Sequence, residues 1–171
     1  ITFSLYYQNN LSLINETNYT SLTSFINFSG LVDTTYTYNV TVRDRANNQN
    51  RTEIRTISTD ATAPRILAIN PAGNSSGIPI LTNFTINFSE NITNTTLSNI
   101  NFILVGSRSS NITAAFIYNT SNQTVIVPNI ALSFNETYNL TLKAGITDRA
   151  GNNLSLTSFN FTTEVSPFDR S

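Results

Sequence analysis

The stretch of sequence that decides the fold is LSFNETYNLTLKAGITDRAGNNLSLTSFNF, residues 132–161. It places Tyr138 in an alternating run after a leucine, then a loop at 148–152, and then a second alternating run. An earlier stretch repeats this order with Tyr36 and a loop at 44–48. The two tyrosines are 102 positions apart and the two loop aspartates 104. We therefore predict two units of one kind, each the size of a single β-sandwich of roughly 100 residues.

Each copy predicts a β-hairpin that begins with a fixed tyrosine. A tyrosine after a leucine and a polar bend is typical of the tyrosine corner, in which the ring is buried and the hydroxyl bonds to backbone upstream. In the loop, the aspartate carboxylate is expected to accept from amides two or three residues on, as in an Asx turn. Gly151 and Asn47 occupy equivalent places in the two loops, and these residue types best tolerate a positive φ.

The loop aspartates have an alternative interpretation as calcium ligands. Asp44, Asp60 and Asp148 would then supply oxygens to an ion between the domains. Calcium loops carry a run of alternating carboxylates, and none accompanies these three residues. We therefore predict no metal site and no other cofactor.

Composition excludes several classes of function. Hydrophobic residues make up 39% of the 171, enough for a core, but only 11% are charged, against about 25% in ordinary soluble proteins. A net charge of −1 gives no basic face for nucleic acid. The chain has no cysteine for a disulfide or thiolate site, and no histidine to activate a serine. Since its carboxylates also lack the spacing of a shared cleft, we predict that it is not an enzyme.

The chain begins at Ile1 with neither a methionine nor a signal sequence. No apolar run approaches the roughly 18 residues of a membrane span. We therefore expect a processed chain or an excerpt from a longer one, with no membrane insertion in this segment.

Period-two alternation predicts an all-β chain. The first part has predicted strands at 1–7 and 25–28, a polar stretch between them up to Ser24, and a hairpin at 35–43 and 52–58. Residues 60–64 are the predicted linker, because proline breaks a ladder. The second part has predicted strands at 66–69, 84–88, 102–104, 115–118 and 125–127, followed by the hairpin within 132–161. No segment shows a long helical periodicity.

The second unit carries a series of short motifs along its whole length. They are Pro64, Pro71-Ala72-Gly73, Phe88-Ser89-Glu90, Leu132 with Tyr138, the Asp-x-x-Gly-Asn loop at 148–152, and Phe161-Thr162-Thr163. In this order they resemble the bacterial and archaeal Ig-like domain named for the S-layer protein SbsA. The resemblance implies an Ig-like sandwich. It implies little about function, since such domains are spacers in surface layers, adhesins and secreted enzymes.

The first unit is similar to the C-terminal two-thirds of a fibronectin type III or related Ig-like domain. It lacks the first two strands, which leaves an open edge and an uncovered core. Three explanations stay open: the strands lie upstream in a longer precursor, a neighbouring subunit donates them by β-strand addition, or the unit is misread.

The predicted fold class is all-β, with two tandem Ig-like antiparallel β-sandwiches, the first lacking its initial strands. The predicted domains are a partial Ig-like or fibronectin III-like domain at 1–62 and an SbsA-type Ig-like domain at 63–164. Residues 165–171 are expected to be a linker or tail.

Acceptor sequences for N-linked glycans, Asn-x-Ser/Thr, are unusually dense. Chance would give about seven, yet eighteen of the 26 asparagines are acceptors. They are Asn10, Asn15, Asn18, Asn27, Asn39, Asn50, Asn74, Asn83, Asn87, Asn91, Asn94, Asn111, Asn119, Asn122, Asn135, Asn139, Asn153 and Asn160. Period two alone explains acceptors with an apolar middle residue, such as Asn139-Leu140-Thr141. Polar middles, as in Asn122-Gln123-Thr124, need another cause and favour dense N-glycosylation.

Glycans would also protect an uncharged surface. Sheet edges with so few charges pair with other chains, and a bulky hydrated sugar replaces the missing lysines. With no histidine and ten carboxylates, stability is expected to vary little with pH. The aromatic residues are predicted to be core, with Tyr6, Tyr7 and Tyr19 as the candidates for a sugar-stacking platform.

These patterns together predict a structural module of a secreted, N-glycosylated prokaryotic cell-surface protein, of archaeal origin. It would be a subunit of an extracellular filament, pilus or S-layer, with strand donation as a mode of assembly. The alternative is a set of accessory or adhesive Ig-like modules of a larger secreted enzyme or adhesin. Expected partners are further copies of itself or adjacent domains of a longer chain, together with N-linked glycans, at an extracellular location on the cell surface.

Overall fold

The computed structural model describes residues 1–120 and 122–169, and its regular structure is almost entirely β. The exceptions in this part of the chain are two 3₁₀ turns, at Asn94–Thr96 and Pro167–Asp169. Within the same residues, no helix is long and apolar enough to cross a membrane. Contacts divide the chain into two compact units, Ile1–Thr62 and Ala63–Ser171. The predicted all-β fold is confirmed, whereas the division into domains at 1–62 and 63–164 with a linker or tail at 165–171 stays a prediction.

The first unit is one five-stranded antiparallel sheet. Its strands are β1 (Thr2–Tyr7), β2 (Leu13–Asn18), β3 (Thr35–Arg43), β4 (Gln49–Arg51) and β5 (Arg55–Ser58). They lie in the order β2-β1-β3, and β4 and β5 both pair with the other side of β3. The predicted hairpin is therefore confirmed, with its second arm divided into two short strands.

Few side chains of the first unit are buried. Leu5 and Tyr36 are its only buried hydrophobic residues among those described. They lie on one face of the sheet, because Leu5 pairs with Tyr38 and Tyr7 pairs with Tyr36 across β1 and β3. Ile57, opposite Tyr36 on β5, is 48% exposed. Within the described residues of this unit no second sheet covers this face, so the unit is a single layer.

The second unit is a complete two-layer sandwich. Its strands are β6 (Ile66–Asn70), β7 (Ser75–Ile78), β8 (Phe84–Phe88), β9 (Phe102–Gly106), β10 (Asn111–Ile112), β11 (Ala114–Thr120), β12 (Gln123–Pro128), β13 (Thr137–Leu142) and β14 (Thr157–Thr163). One sheet has the order β10-β9-β13-β14-β7 and the other β11-β12-β8-β6. All pairings are antiparallel except β14 with β7, which is parallel.

The inward faces of these two sheets form a single core. Alternation is strict in β8, where Phe84 and Phe88 are buried and the residues beside them half-buried. The ring of Phe84 lies 5.3 Å from that of Phe161 and 6.3 Å from that of Phe102, between centroids. Leu140 on β13 is fully buried in the same cluster. Each such side chain contributes about 1.5–3 kcal/mol by its burial, so the hydrophobic stabilisation is concentrated in this unit.

Two predictions for the first unit were wrong. Residues 25–28 do not form a strand, because no neighbouring strand lies beside them to make a ladder. The stretch up to Ser24, predicted to be polar and irregular, contains β2. Only Leu13 and Ile14 of its six residues are apolar, so alternation does not reveal it, and pairing with β1 creates the strand. The short strands β7 and β10 were missed for the same reason.

Candidate functional site

Both units have the predicted tyrosine corner. Tyr36 is 1% exposed and donates its hydroxyl to the Val32 carbonyl at 2.9 Å. Tyr138 is fully buried, and its hydroxyl accepts from the Ser133 N–H at 2.8 Å and donates to Glu136 Oε2 at 3.0 Å. Each contact ties the start of a central strand to the bend before it. The corner therefore positions the hairpin that follows in both units.

Glu136 is a buried carboxylate beside the second corner, and no spacing in the sequence marks it. Its Oε1 accepts from the N–H groups of Arg108 at 2.6 Å and Ser109 at 2.7 Å, and its Oε2 from Ser109 Oγ at 2.7 Å. Burial raises the pKa of this carboxyl, but hydrogen bonds from Ser109, Arg108 and Tyr138 outweigh burial and lower the pKa of Glu136 to about 2. A Cβ at Gly106 would collide with Oε1, so glycine makes room for it. The carboxylate of Glu136 therefore holds in place the loop that contains Arg108 and Ser109.

The two loop aspartates also have a structural role. Asp44 accepts at Oδ1 from the Asn48 N–H and at Oδ2 from Asn48 Nδ2, both at 2.8 Å. Asp148 and Asn152 repeat these contacts at 2.9 and 2.8 Å. The hydrogen bonds from Asn48 lower the pKa of Asp44. Burial raises the pKa of Asp148, but the bonds from Asn152 outweigh burial and lower it. Both aspartates therefore close their own loops.

The loop conformation matches the prediction from residue type. Asn47 has φ 70° and Gly151 has φ 95°, both in the left-handed region that these residues tolerate. In each loop the aspartate N–H also donates to the carbonyl of the last asparagine, at 3.0 Å in the first unit and 3.1 Å in the second. The repeat found in the sequence is therefore a repeated piece of structure.

One face of the first sheet is an apolar surface that a single segment covers in part. A cavity of about 310 Å³ lies over Phe3, Leu5, Tyr38 and Ile57. Its other wall is the extended segment at 24–28. These are the residue types of a sandwich core, and in the second unit the corresponding face is packed against a whole second sheet. The first unit thus presents an apolar sheet face with one segment lying on it.

The segment at 22–30 has no hydrogen-bonded neighbour. Its backbone and side chains form no hydrogen bond with any other residue that the structure describes. Leu22 is 95% exposed and Phe25 72% exposed. Backbone N–H and C=O groups require partners, and a segment whose backbone groups are free can pair with a further strand. The arrangement can accept a strand that completes the missing layer.

Most of the predicted acceptor asparagines lie at the surface. The fifteen exposed ones are Asn10, Asn15, Asn18, Asn27, Asn50, Asn74, Asn83, Asn94, Asn111, Asn119, Asn122, Asn135, Asn139, Asn153 and Asn160. Asn87 and Asn91 are half-buried. Asn39 is buried, with 4% exposure.

Asn39 and Asn139 share a sequence pattern but differ in solvent exposure. Both stand in Asn-apolar-Thr on a central strand. Asn39 lies opposite Ser4, and its Oδ1 has no partner among the described residues. Asn139 is exposed, and its Nδ2 donates to Oδ1 of Asn160 across the strands at 2.7 Å. Neighbouring strands bury Asn39 but leave Asn139 exposed, and the local sequence does not show this difference.

The tyrosine corner at Tyr138, the loop closed by Asp148 and the two-layer sandwich all belong to the second unit, and this unit matches a known protein family. Residues 60–163, more than half of the chain, match the family described as bacterial Ig-like domain. The chain belongs to this family. Membership confirms the predicted Ig-like domain, whereas the SbsA subtype and the fibronectin-like character of the first unit stay predictions. No curated protein sequence matches the chain.

Several solved structures are similar to this Ig-like chain. The N-terminal part of the bacterial S-layer protein SbsC is 18% identical, with a TM-score of 0.47 over 61% of this chain and 24% of that chain. CopC from Methylosinus trichosporium OB3b is 10% identical, with a TM-score of 0.49 over 60% and 94%. An L,D-transpeptidase from Mycobacterium smegmatis is 13% identical, with a TM-score of 0.43 over 60% and 41%. The alignment thus spans about a quarter of the S-layer fragment.

Proposed function

We propose that the chain is a structural module of a secreted, N-glycosylated cell-surface protein of a prokaryote, of archaeal origin. Its copies assemble into an extracellular filament or S-layer. The observation that carries the proposal is the unpaired segment at 22–30, which lies on an apolar sheet face that no other described residue of the first unit covers. A strand from a second copy pairs with this segment and completes the first sandwich.

The chemistry of the incoming strand follows from the face that receives it. Phe3, Leu5, Tyr38 and Ile57 line the cavity, and no charged residue is among its described lining. A strand that fits has uncharged side chains with apolar residues at every second position. Its main-chain hydrogen bonds supply affinity, and the apolar pockets supply register. The low charge of the chain, 11%, also leaves it without the lysines that usually block edge pairing.

Photo-cross-linking in a mixture of isotopically light and heavy chains tests strand addition. A photoreactive phenylalanine replaces Phe25, which is 72% exposed, and in the control it replaces Leu156, which is 68% exposed in the second unit. We expect cross-linked peptides that join light to heavy chains at position 25, and far fewer at 156. Products that join only like isotopes would place the strand in the same molecule. An absence of cross-links at 25 in assembled material would contradict strand addition.

The second part of the proposal is dense N-glycosylation of the exposed acceptors. Hydrated sugars at these positions keep the uncharged sheet faces apart. Peptide mass spectrometry of the native chain is expected to find glycans on exposed acceptors such as Asn139 and none on Asn39. An intact mass of 18.9 kDa, that of the bare polypeptide, would contradict the glycans. Occupancy of Asn39 would instead show that glycans are attached before the sheet forms.

A further inference from the structure

Most strands at the sheet edges of this protein have features that hinder pairing with another chain. Charged residues occur in three of them, Glu16 in β2, Arg51 in β4 and Arg55 in β5. β7 and β10 have only four and two residues. β6 has a register shift and a proline within two residues of each end. Charges, short strands, prolines and bulges are the devices by which proteins block pairing between edges.

β11 is an edge strand that lacks these devices along residues 114–118. It pairs with β12 on one side and with no described strand on the other. Its seven residues, AAFIYNT, include no charge and no proline, and its register shift comes only after Tyr118. It lies within residues 109–135, the longest stretch of the chain without a charged side chain. β11 is therefore open to pairing with a further uncharged strand.

The first residue of β11 shows which backbone groups face the open side. The Thr113 carbonyl accepts from the N–H of Asn129, which follows β12, so the groups of Ala114 face away from β12. The side-chain amide of Asn99 bonds both of them. Its Oδ1 accepts from the Ala114 N–H at 2.8 Å, and its Nδ2 donates to the Ala114 carbonyl at 3.0 Å. At this residue the amide therefore takes the place of a neighbouring strand.

Beyond Ala114 the open side of β11 has no such partner. The backbone groups of every second residue face one side of a strand, so those of Phe116 and Tyr118 face the open side. No described residue outside the strands bonds them, and no described strand lies beside them. Both rings pack against the core but are only half-buried, since β11 is the last strand of its sheet. A further strand would bond these N–H and C=O groups and cover both rings.

We propose that β11 of one copy is the strand that pairs with the segment at 22–30 of the next copy. This inference rests on the proposed function, and it names the strand that the second copy supplies. Both partners have free backbone groups, and neither has a charged side chain that pairing would bury. Each copy presents β11 on its second unit and the segment on its first. The contact is therefore heterologous, the type that builds rings or filaments.

The two strands also match in the faces that they present. On the segment, Phe25 is 72% exposed, whereas Ile26 is half-buried beside the cavity over the first sheet. On β11, Ile117 is 51% exposed, whereas Phe116 is half-buried against the core. Antiparallel pairing of Phe25 with Ile117 forms an aromatic and β-branched pair on the outer face, which stabilises a sheet. Ile26 then lies beside Phe116 on the inner face, so the core of one copy continues over the first sheet of the next.

The positions joined by cross-links from residue 25 test the choice of β11. Light and heavy chains with the photoreactive phenylalanine at position 25 are assembled and digested, and the joined residues are located by fragmentation. We expect the heavy-chain ends of the light-to-heavy products to lie within residues 114–120. Light-to-heavy products at another strand would overturn the choice of β11 and leave strand addition intact. An absence of light-to-heavy products would contradict strand addition itself and this inference with it.

Charge substitutions test the same contact without a cross-linker. Ile117→Lys places a charge on the open edge strand, so assembly is expected to need at least about tenfold more protein, because lysine blocks edge pairing. Ile130→Lys, at a residue of the second unit that is 63% exposed, is the matched control and is expected to assemble like wild type. Urea unfolding of the unassembled chain checks that both variants fold. Wild-type assembly of a folded Ile117→Lys variant would overturn the proposal.

An opposite charge in the segment tests whether the two positions meet. Phe25→Glu alone is expected to reduce assembly as Ile117→Lys does. The double variant is expected to recover most of the assembly, because opposite charges on directly opposite residues stabilise a strand pair. Phe25→Glu combined with Ile130→Lys is the control and is expected to recover none. Wild-type assembly of Phe25→Glu would argue against the segment and so against the proposed function. No recovery, or equal recovery in both double variants, would overturn the pairing with β11.

Discussion

The two units share a hairpin but differ in the number of layers that cover it. Both have the tyrosine corner and the Asp-Asn loop, with matching hydrogen bonds. The second unit places seventeen buried side chains in one core cluster, whereas the first has two buried hydrophobic residues in its described part. The corner and loop are therefore local devices that form from a few neighbouring residues. A core needs a second sheet, and the described residues of the first unit form only one.

The largest expected difference between the two units is in the stability lost when a buried leucine is truncated. Leu140→Ala removes a fully buried side chain between two sheets and is expected to lower the free energy of unfolding by about 3–5 kcal/mol. Leu5→Ala, at a residue that is 1% exposed but lies beside an open cavity, is expected to cost only about 2 kcal/mol, because the site can collapse. Urea unfolding measures both. Equal losses would show that the first unit is packed as tightly as the second.

Leu156→Ala is the control for these deletions. Leu156 is 68% exposed, so its truncation is expected to change stability by less than about 0.5 kcal/mol. Phe25→Ala, at 72% exposure, is expected to behave like Leu156→Ala in the isolated chain but to prevent assembly when a strand covers it. An equal loss of assembly in both variants would argue against a special role of the first sheet.

Glu136 gives the second unit an acid sensitivity that comes from a buried carboxylate. Glu136→Gln is expected to cost about 1–3 kcal/mol at neutral pH, since four hydrogen bonds to the carboxylate are weakened or lost. The folded pKa of about 2 lies below the ordinary 4.5, so the stabilisation is complete above pH 4.5 and is lost as the pH falls towards 2. Chemical unfolding between pH 7 and 2 is the measurement.

The variant Glu136→Gln should therefore lose less stability than wild type as the pH falls between 4.5 and 2. Glu53→Gln, at an exposed glutamate of the first unit, is the matched control for the loss of one carboxylate. An unchanged slope in Glu136→Gln would assign the acid sensitivity to other carboxylates. Above pH 4.5 the nearly flat profile expected from composition should hold.

The tyrosine corners predict a smaller difference between the units. Tyr138→Phe leaves the Ser133 N–H without its acceptor and Glu136 with one donor fewer, at an expected cost of about 1–2 kcal/mol. Tyr36→Phe removes one bond to the exposed Val32, at about 0.5 kcal/mol. Thermal unfolding can rank them. A larger loss in Tyr36→Phe would mean that the first unit depends more on its corner because it has little core.

The smallest expected effect comes from exchanging the residue types at the equivalent loop positions 47 and 151. This exchange tests whether the two loops are interchangeable. Asn47→Gly is expected to change stability by less than about 0.5 kcal/mol, because glycine adopts φ 70° freely but gains entropy in the unfolded chain. Gly151→Asn, at φ 95°, is expected to cost at most about 1 kcal/mol. Urea midpoints measure both. A large loss in either variant would show that the two loops are not equivalent.

The strands that could be predicted are those whose alternation is complete within one segment. β8 and β13 alternate buried and outward residues throughout, and the structure has both where expected. β2 has little alternation of its own and exists through its pairing with β1. Residues 25–28 have strand-like residues but lack a partner, and a strand is defined by the ladder it shares. Prediction failed where the neighbour, not the segment, decided the outcome.

The candidate sites divide in the same way. The acceptor asparagines are visible in the sequence, and fifteen of the eighteen are exposed. Nothing in the sequence Asn39-Val40-Thr41 indicates that the side-chain amide of Asn39 is buried, because its burial arises from side chains on other strands.

By itself the sequence determined the β character, the repeated corner and loop, the scarcity of charge and the density of acceptor asparagines. These properties depend on residue type and on spacings of a few positions, so they are present in any conformation of the chain. Only the tertiary structure decided which sheet has a second layer, which acceptor asparagine is buried and which four groups donate hydrogen bonds to Glu136. Those outcomes require residues far apart in the chain to meet, and contacts of this kind arise only when strands pair and pack.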